Sequence, residues 1–282
     1  MDSLTQIVLG ASVGELVLGK KAGNKALLWG AVAGTIPDLD VLSRSFTDIV
    51  TAHEWHRGVT HSILFCVLSA PLFGYLVKKF ERLFLSVFFI CLMGVFYLPR
   101  QGLNEKFLVL SALGALFFLA YKLKPNSKDL TILDWSKLMF WSLVTHPLLD
   151  AHTTWGTQLF WPFDLRIAYQ NIFVADPFYT IPFLICTALV MFFKRTDNRR
   201  RMWNKAGLII SSFYMLLTIV FKYITYVQFD KDLNSKGVQY INIDTKPTPL
   251  NSILWTANVE TKEGYYVGYY SLFDENNNIN WG

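Results

Sequence analysis

Apolar residues gather in runs separated by short polar or basic segments over most of the chain. The runs cover residues 4–19, 26–37, 61–77, 83–98, 107–121, 136–151, 177–193 and 206–224. Several are shorter than the ~20 residues that a helix needs to cross the hydrocarbon core of a membrane. We therefore predict a mainly α fold, a polytopic membrane helical bundle of about eight helices. The first two runs would form a helical hairpin, and the 136–151 helix would turn a polar stripe inward.

The pattern changes after residue 224. Aromatic and β-branched residues now come in short groups, at 240–243, 252–259 and 265–273, separated by Pro, Gly and Asn. Such groups with such breakers predict short strands, and residues 262–265 predict a hairpin turn. We therefore divide the chain into a helical domain, 1–224, and a small β-rich domain outside the membrane, 225–282.

Composition supports this interpretation. The chain is 52% hydrophobic and 17% charged, against roughly 45–50% and about 25% in soluble domains. The first run begins at Leu4 with no basic segment before it, which predicts a retained helix rather than a signal peptide. Cys66, Cys91 and Cys186 stand singly within apolar runs, as buried thiols do, and form neither a disulfide framework nor a Cys-x-x-Cys metal site.

The placement of lysine and arginine predicts the orientation in the membrane. If every run crosses and the N-terminus lies outside, most basic residues, including the 194–205 cluster, fall in inner loops. The outer loops before the tail hold only Arg44, Arg57, Arg100, Lys106 and Arg166. This bias explains the net charge of +5 without a nucleic-acid partner. It predicts a multi-pass membrane protein, in contact with its lipids, with the polar clusters and the tail at the outer face.

The five histidines lie in two stretches at the ends of apolar runs, residues 53–61 and 146–152. His146 and Asp150 are four residues apart, so on a helix they share one face and could bind one cation. The alternative is a capping aspartate beside a boundary histidine. His53 and His152 are interpreted as neighbours of the candidate site rather than as ligands.

His56 and His61 flank Arg57 near the predicted start of the third helix. His61 would lie in the first turn, where free backbone N–H groups can hold an anion, and Arg57 could bind a phosphate in bidentate fashion. The alternative is an ordinary interfacial loop in which Arg57 meets lipid headgroups.

Carboxylates occur at the end of the second run, where Asp38 and Asp40 follow Pro37. In extended backbone only one of them would face a shared site, and a helix-ending turn is the alternative. Asp2 is a weaker candidate that could simply cap a helix. Glu15 lies inside the first run, where an ionisable group is costly and usually partnered, so that a structural hydrogen bond is equally consistent.

The candidate ligands combine imidazoles and carboxylates. Such a set suits a divalent transition metal, zinc first with manganese or iron as alternatives, better than magnesium or calcium. More than four candidates leave room for two ions. The chain has no Gly-rich phosphate loop, Gly-x-Ser-x-Gly elbow or His-Glu-x-x-His motif.

Several motifs follow one another in an order that resembles a known family. They are the segments 1–5, 30–34, 37–40, 56–62, 146–150, 155–156 and 161–163. Together they are similar to the YdjM/YfhP-like family of membrane-bound metal-dependent hydrolases, over roughly residues 1–195. The resemblance implies an inner-membrane protein with a hydrolase-like metal site whose ligands here are Asp38, Asp40, His56, His61, His146 and Asp150. One departure is Gln6, where related sequences often carry histidine, which puts a role of the N-terminal segment in metal binding in doubt.

These observations lead to a functional hypothesis with rivals. We expect a metal-dependent hydrolase that cleaves a phosphoester of a lipid or envelope molecule at the outer membrane–water boundary, with Asp40 as general base and Arg57 holding the anionic group. The alternative is a non-enzymatic metal-binding or scaffold protein whose tail recruits a partner. A transporter comes third, suggested only by the helix count and Glu15.

Overall fold

The computed structural model describes residues 1–47, 56–97, 129–274 and 279–282, with isolated positions between 110 and 122. The predicted run 107–121 and His53 therefore lie largely or wholly outside the described residues. The α-helices are α1 (Ser3–Ala22), α2 (Asn24–Thr35), α3 (Ile63–Tyr97), α4 (Ile132–Asp150), α5 (Pro177–Val190) and α6 (Asn198–Ser235). Short 3-10 helices span Pro37–Ser45 and Val59–His61, and strands β1 (Asn242–Pro247), β2 (Leu254–Glu260) and β3 (Tyr265–Ser271) follow α6. The fold is mostly helical with a small sheet at the C-terminus, as predicted.

Helices α1 and α2 form the predicted hairpin, packed through glycines. A Cβ atom on Gly10 would lie 2.3 Å from the carbonyl oxygen of Gly30, and one on Gly14 would lie 2.3 Å from that of Ala26. Such an approach is possible only without side chains, as in close helix pairs of membrane proteins. Gly23 joins the two helices at a φ of 60°, which glycine adopts at little cost.

Helix α3 contains two arms. The backbone leaves helical geometry at Phe80, with φ −130° and ψ 38°. The rings of Phe73 and Phe84 stack with centroids 5.5 Å apart, although eleven residues of straight helix would separate them by roughly 16 Å. The chain therefore bends sharply at Phe80, and the arms correspond to the runs predicted at 61–77 and 83–98.

By length and composition, two described segments could cross a membrane: Ile63–Val95, which includes the bend at Phe80, and Asn198–Ser235. A third candidate is the bent pair of Asn24–Thr35 and Pro37–Ser43, at an angle of 41°. Pro177–Val190 is apolar but shorter. These helices fit a membrane protein.

Charged residues collect at the end of the bundle where α1 ends and α2 begins. Lys21 binds Asp134 at 2.9 Å and Lys25 binds Glu81 at 2.7 Å. The opposite end is formed by the start of α1, the end of α2, the start of α3 and the end of α4. The candidate ligands lie at this second end: Asp38, Asp40, His56, His61, His146 and Asp150.

The C-terminal sheet packs on the end of α6. Helix α6 continues past residue 224 to Ser235, and its Phe229 and Leu233 join Trp255 and Val259 in one buried cluster. The strands are antiparallel in the order β1-β2-β3. The sheet thus shares its core with the last turns of the longest described helix.

Candidate metal centre

Four predicted ligands converge from three elements. A 3-10 helix that begins with Pro37 follows α2, and Asp38 lies in its first turn. His61 ends the short 3-10 helix before α3. His146 and Asp150 lie one turn apart in the last turns of α4, so their four-residue spacing directs them to one face. Pro147 sits inside α4 without separating them.

The ligand atoms of Asp38, His61, His146 and Asp150 all lie within 4.8 Å of one another. The Nε2 atoms of the two histidines are 3.1 Å apart. Asp38 Oδ1 lies 3.3 Å from Nε2 of His146 and 3.7 Å from that of His61, and Asp150 Oδ2 lies 3.5 Å from both. Bond lengths of about 2.0–2.2 Å place neighbouring ligands of a tetrahedral zinc ion roughly 3.3–3.6 Å apart. The cluster therefore has the dimensions of a four-coordinate metal site.

The other nitrogen of each ring has its own partner. His146 Nδ1 lies 2.6 Å from the Gly34 carbonyl oxygen, which can only accept, so Nδ1 donates. His61 Nδ1 lies 3.1 Å from the Thr60 hydroxyl oxygen. The Thr60 hydroxyl donates to Asp40, so it accepts from His61. Both Nε2 atoms are thereby left as lone-pair donors, the arrangement that histidine ligands show in metal sites.

The two carboxylate oxygens of Asp150 differ in their hydrogen bonding. Its Oδ1 accepts hydrogen bonds from the Met1 amino group and from Gln6 Nε2, the latter at 2.9 Å. Its Oδ2 is buried and has no hydrogen-bond partner among the described residues. A buried carboxylate oxygen without a partner is costly, and a cation bound to it would remove that cost. The residues present therefore fit a metal ion.

The contacts of Met1 and Gln6 were not anticipated from the sequence. Gln6 also donates to the His146 carbonyl at 3.3 Å, so it braces two candidate ligands. The resemblance had made a role for this segment doubtful because Gln6 is no imidazole. No local signal links residues 1–6 to residues 146–150, because the contact depends on how α1 packs against α4.

Asp40 and His56 lie beside the four-residue cluster. Asp40 Oδ1 is 2.8 Å from His56 Nδ1, and Oδ2 accepts from the Arg57 N–H at 3.1 Å and the Thr60 hydroxyl at 3.0 Å. Asp40 thus holds the loop that carries His61. Its role and that of His56 as ligands stay predictions.

Arg57 is buried next to Asp150. Its Nε lies 3.5 Å from Asp150 Oδ2 without forming a hydrogen bond, and Nη1 donates to the Thr153 hydroxyl at 3.0 Å. The backbone has a φ of 64°, which costs a non-glycine residue roughly 1–2 kcal/mol. Asp40 and Gln158 hold it there, since the Arg57 N–H donates to Asp40 and its carbonyl accepts from the Gln158 N–H. A strained residue thereby brings a positive charge to the edge of the cluster.

Charge around His61 favours a cation. Burial lowers the pKa of His61, but the nearby carboxylates of Asp150, Asp38 and Asp40 outweigh it and raise the pKa above its usual value. Surroundings that hold a proton strongly on His61 will also attract a metal cation to its Nε2 atom.

Two weaker candidates and the neighbouring His152 have other partners. Asp2 caps α1 by accepting from the Thr5 N–H at 3.0 Å. Glu15 forms a buried two-point ion pair with Arg200, at 2.7 and 2.6 Å. His152 Nδ1 lies 2.8 Å from the Asn171 side-chain oxygen, and burial lowers its pKa.

A profile of the YdjM inner membrane protein family matches residues 1–99 and 106–228. The chain belongs to this family. The match contains all four residues of the cluster, and it ends before the sheet, so β1 to β3 lie outside it. No curated protein and no solved structure matches the chain.

Proposed function

We propose that this YdjM family member is a membrane-bound metal-dependent hydrolase that cleaves a phosphoester of a lipid or envelope molecule. The observation that carries the proposal is the orphaned Asp150 Oδ2 within a set of two imidazoles and two carboxylates. Such donors suit zinc, with manganese or iron as alternatives. The proposed location is the membrane–water boundary at the outer face of the cytoplasmic membrane.

Each residue of the site has a role in this proposal. Asp38, His61, His146 and Asp150 would hold the ion, which when bound supplies Lewis acidity and makes water nucleophilic near neutral pH. Arg57 would bind the anionic group of the substrate, since its buried Nε has no hydrogen-bond partner among the described residues.

The proposed proton acceptor is the Asp40–His56 pair. Asp40 orients the ring through Nδ1, which leaves Nε2 of His56 to take a proton from water. The His56 side chain is 24% exposed, so solvent can reach it. This assignment modifies the expectation that Asp40 alone is the base.

Metal analysis of the detergent-purified protein tests the proposal directly. Wild type should carry a transition metal and hydrolyse bis(p-nitrophenyl) phosphate or a phospholipid from a substrate panel. His61→Ala combined with Asp150→Ala should lose both properties. His152→Ala is the matched control, because His152 bonds Asn171 instead. A wild type without transition metal, or a double variant that retains it, would refute the metal site.

The sheet supports a second candidate, a metal-binding scaffold whose tail recruits a partner. It lies outside the family match yet shares a buried core with the end of α6. Deleting residues 236–282 keeps α6 through Ser235. Metal-dependent hydrolysis that survives this deletion favours the enzyme, whereas loss of a co-purifying partner without detectable hydrolysis in either protein favours the scaffold.

A further inference from the structure

An open groove runs along the first arm of α3. Its volume is about 300 Å³. Val59 and Ser62 form one end, Leu68, Ser69 and Leu72 lie along it, and Trp161 contributes from the loop after α4. No charged residue lines it.

One end of the groove is lined by neighbours of a candidate ligand in the chain. Val59 and Ser62 flank His61, whose side chain is fully buried. The Ile63 N–H donates to the Leu159 carbonyl at 3.0 Å, which attaches the Trp161 loop to the start of α3. A molecule in the groove therefore has one end near the segment that carries Arg57 and His61.

The surrounding surface is of the kind that faces lipid. Leu68 is 68% exposed and Leu72 is 56% exposed, on a helix apolar enough to span a membrane. In the loop after α4, Trp155 and Tyr169 are exposed. Exposed Trp and Tyr are typical of the membrane–water interface, which would place the cluster at headgroup depth and the groove at acyl-chain depth.

One polar side chain of the groove forms no hydrogen bond with the described residues. Ser69 is nine-tenths buried, and its hydroxyl has no hydrogen-bond partner among the residues that the structure describes. It lies seven residues below Ser62, roughly 10 Å along the helix. A ligand with a polar linkage between its head and its chain would satisfy this hydroxyl, whereas a plain hydrocarbon would not.

We infer that the substrate is an acylated anionic lipid, with its head at the metal cluster and Arg57 and its chain in the groove on α3. The inference rests on the proposed hydrolase function and selects a lipid over a soluble envelope phosphoester. The position of Val59 and Ser62 on either side of His61, the lipid-facing surface and the unpaired Ser69 hydroxyl support it together. Ser69 would bond the ester linkage and so contribute to specificity.

Photolabelling tests the groove without relying on turnover. The probe is a phosphatidic acid with a diazirine in its acyl chain, added to the full-length protein in detergent micelles and mapped by mass spectrometry. Labelling should concentrate on residues 64–72 and Trp161 and be displaced by unlabelled dioleoyl phosphatidic acid. Leu68→Trp should reduce it roughly tenfold, while Ile90→Trp, at an equally exposed position outside the groove lining, should leave it unchanged.

Two results would overturn the inference: labelling spread evenly over α3 and α6, or labelling unaffected by Leu68→Trp. Ser69→Ala should weaken retention of the probe, with Thr187→Val as control, since Thr187 has a comparable buried unpaired hydroxyl on α5. If Ser69→Ala retains the probe as wild type does, the role of Ser69 is refuted.

Different results would refute the lipid assignment and the proposed hydrolase function. A protein that carries metal and cleaves bis(p-nitrophenyl) phosphate, but labels evenly, loses only the lipid assignment. A protein without metal whose labelling is still confined to the groove loses the hydrolase and keeps a lipid-binding site.

Discussion

The Nε2 atoms of His61 and His146 face each other at 3.1 Å. Because the Nδ1 atoms of both rings donate elsewhere, neutral rings place two lone pairs together, which is unfavourable without a proton or a cation between them. Asp38 and Asp150 bring carboxylate oxygens to the same space. The relationship between the two rings therefore defines a cation site and leads to the first prediction.

Metal affinity should rise with pH. Nearby carboxylates raise the pKa of His61, so near neutral pH the metal-free site holds a proton that the metal must displace. For one displaced proton, affinity should fall about tenfold for each unit that the pH is lowered below that pKa. Zinc dissociation constants measured by chelator competition at several pH values check this, and a flat profile would contradict it.

Gln6 should matter for metal affinity although it is no ligand in the cluster. Gln6→Ala removes a hydrogen bond to Asp150 Oδ1 and another to the His146 carbonyl. Loss of such supporting contacts typically weakens metal binding about 10–100-fold. Zinc titration of the variant measures the effect. Gln158→Ala, which removes a contact with Asp164, should bind zinc as wild type does.

The α1–α2 hairpin should not tolerate a methyl group at its contact. In Gly10→Ala the new Cβ would meet the backbone oxygen of Gly30 at 2.3 Å, so the helices must separate, at a cost of about 1–3 kcal/mol. Gly94→Ala is the control, because the nearest atom to its Cβ is the end of the Leu42 side chain at 3.1 Å. Thermal unfolding in detergent should show a lower Tm for Gly10→Ala alone.

The Glu15–Arg200 pair should be a structural element of the bundle. Glu15→Gln leaves the Arg200 guanidinium buried without its counter-charge, which typically costs about 3–5 kcal/mol. Unfolding measurements should show a large loss of stability. Arg199→Ala, which breaks the exposed pair with Asp197, should have no measurable effect. Equal effects of the two substitutions would argue against a structural role of Glu15.

The helical architecture was accessible from the chain because its signals are local. Apolar runs bounded by charged segments locate helices wherever the hydrocarbon core excludes polar groups. Strands β2 and β3 follow their aromatic and β-branched groups, whereas β1 begins at Asn242 and overlaps only the end of the group at 240–243. The extension of α6 to Ser235 was missed because its last turns are polar on one face and bury Phe229 and Leu233 against the sheet, a contact that hydropathy does not record.

The sequence pattern did not determine which of Asp38 and Asp40 faces the histidines. Alternation in an extended strand allowed only one of them to face the site, and a turn was the open alternative. The 3-10 helix from Pro37 directs Asp38 to the histidines and Asp40 to His56, Arg57 and Thr60. The distinction comes from backbone geometry that depends on the packing of α2.

Spacing alone was enough to pair His146 with Asp150, because four residues make about one helical turn whatever surrounds the helix. Hydropathy alone was enough to place the polar stretches at helix ends. Long-range packing was required to gather four ligands from three elements, to leave Asp150 Oδ2 without a partner, and to open the groove beside His61. Those features depend on distances between segments that are far apart in the chain, and such distances exist only once the helices have packed.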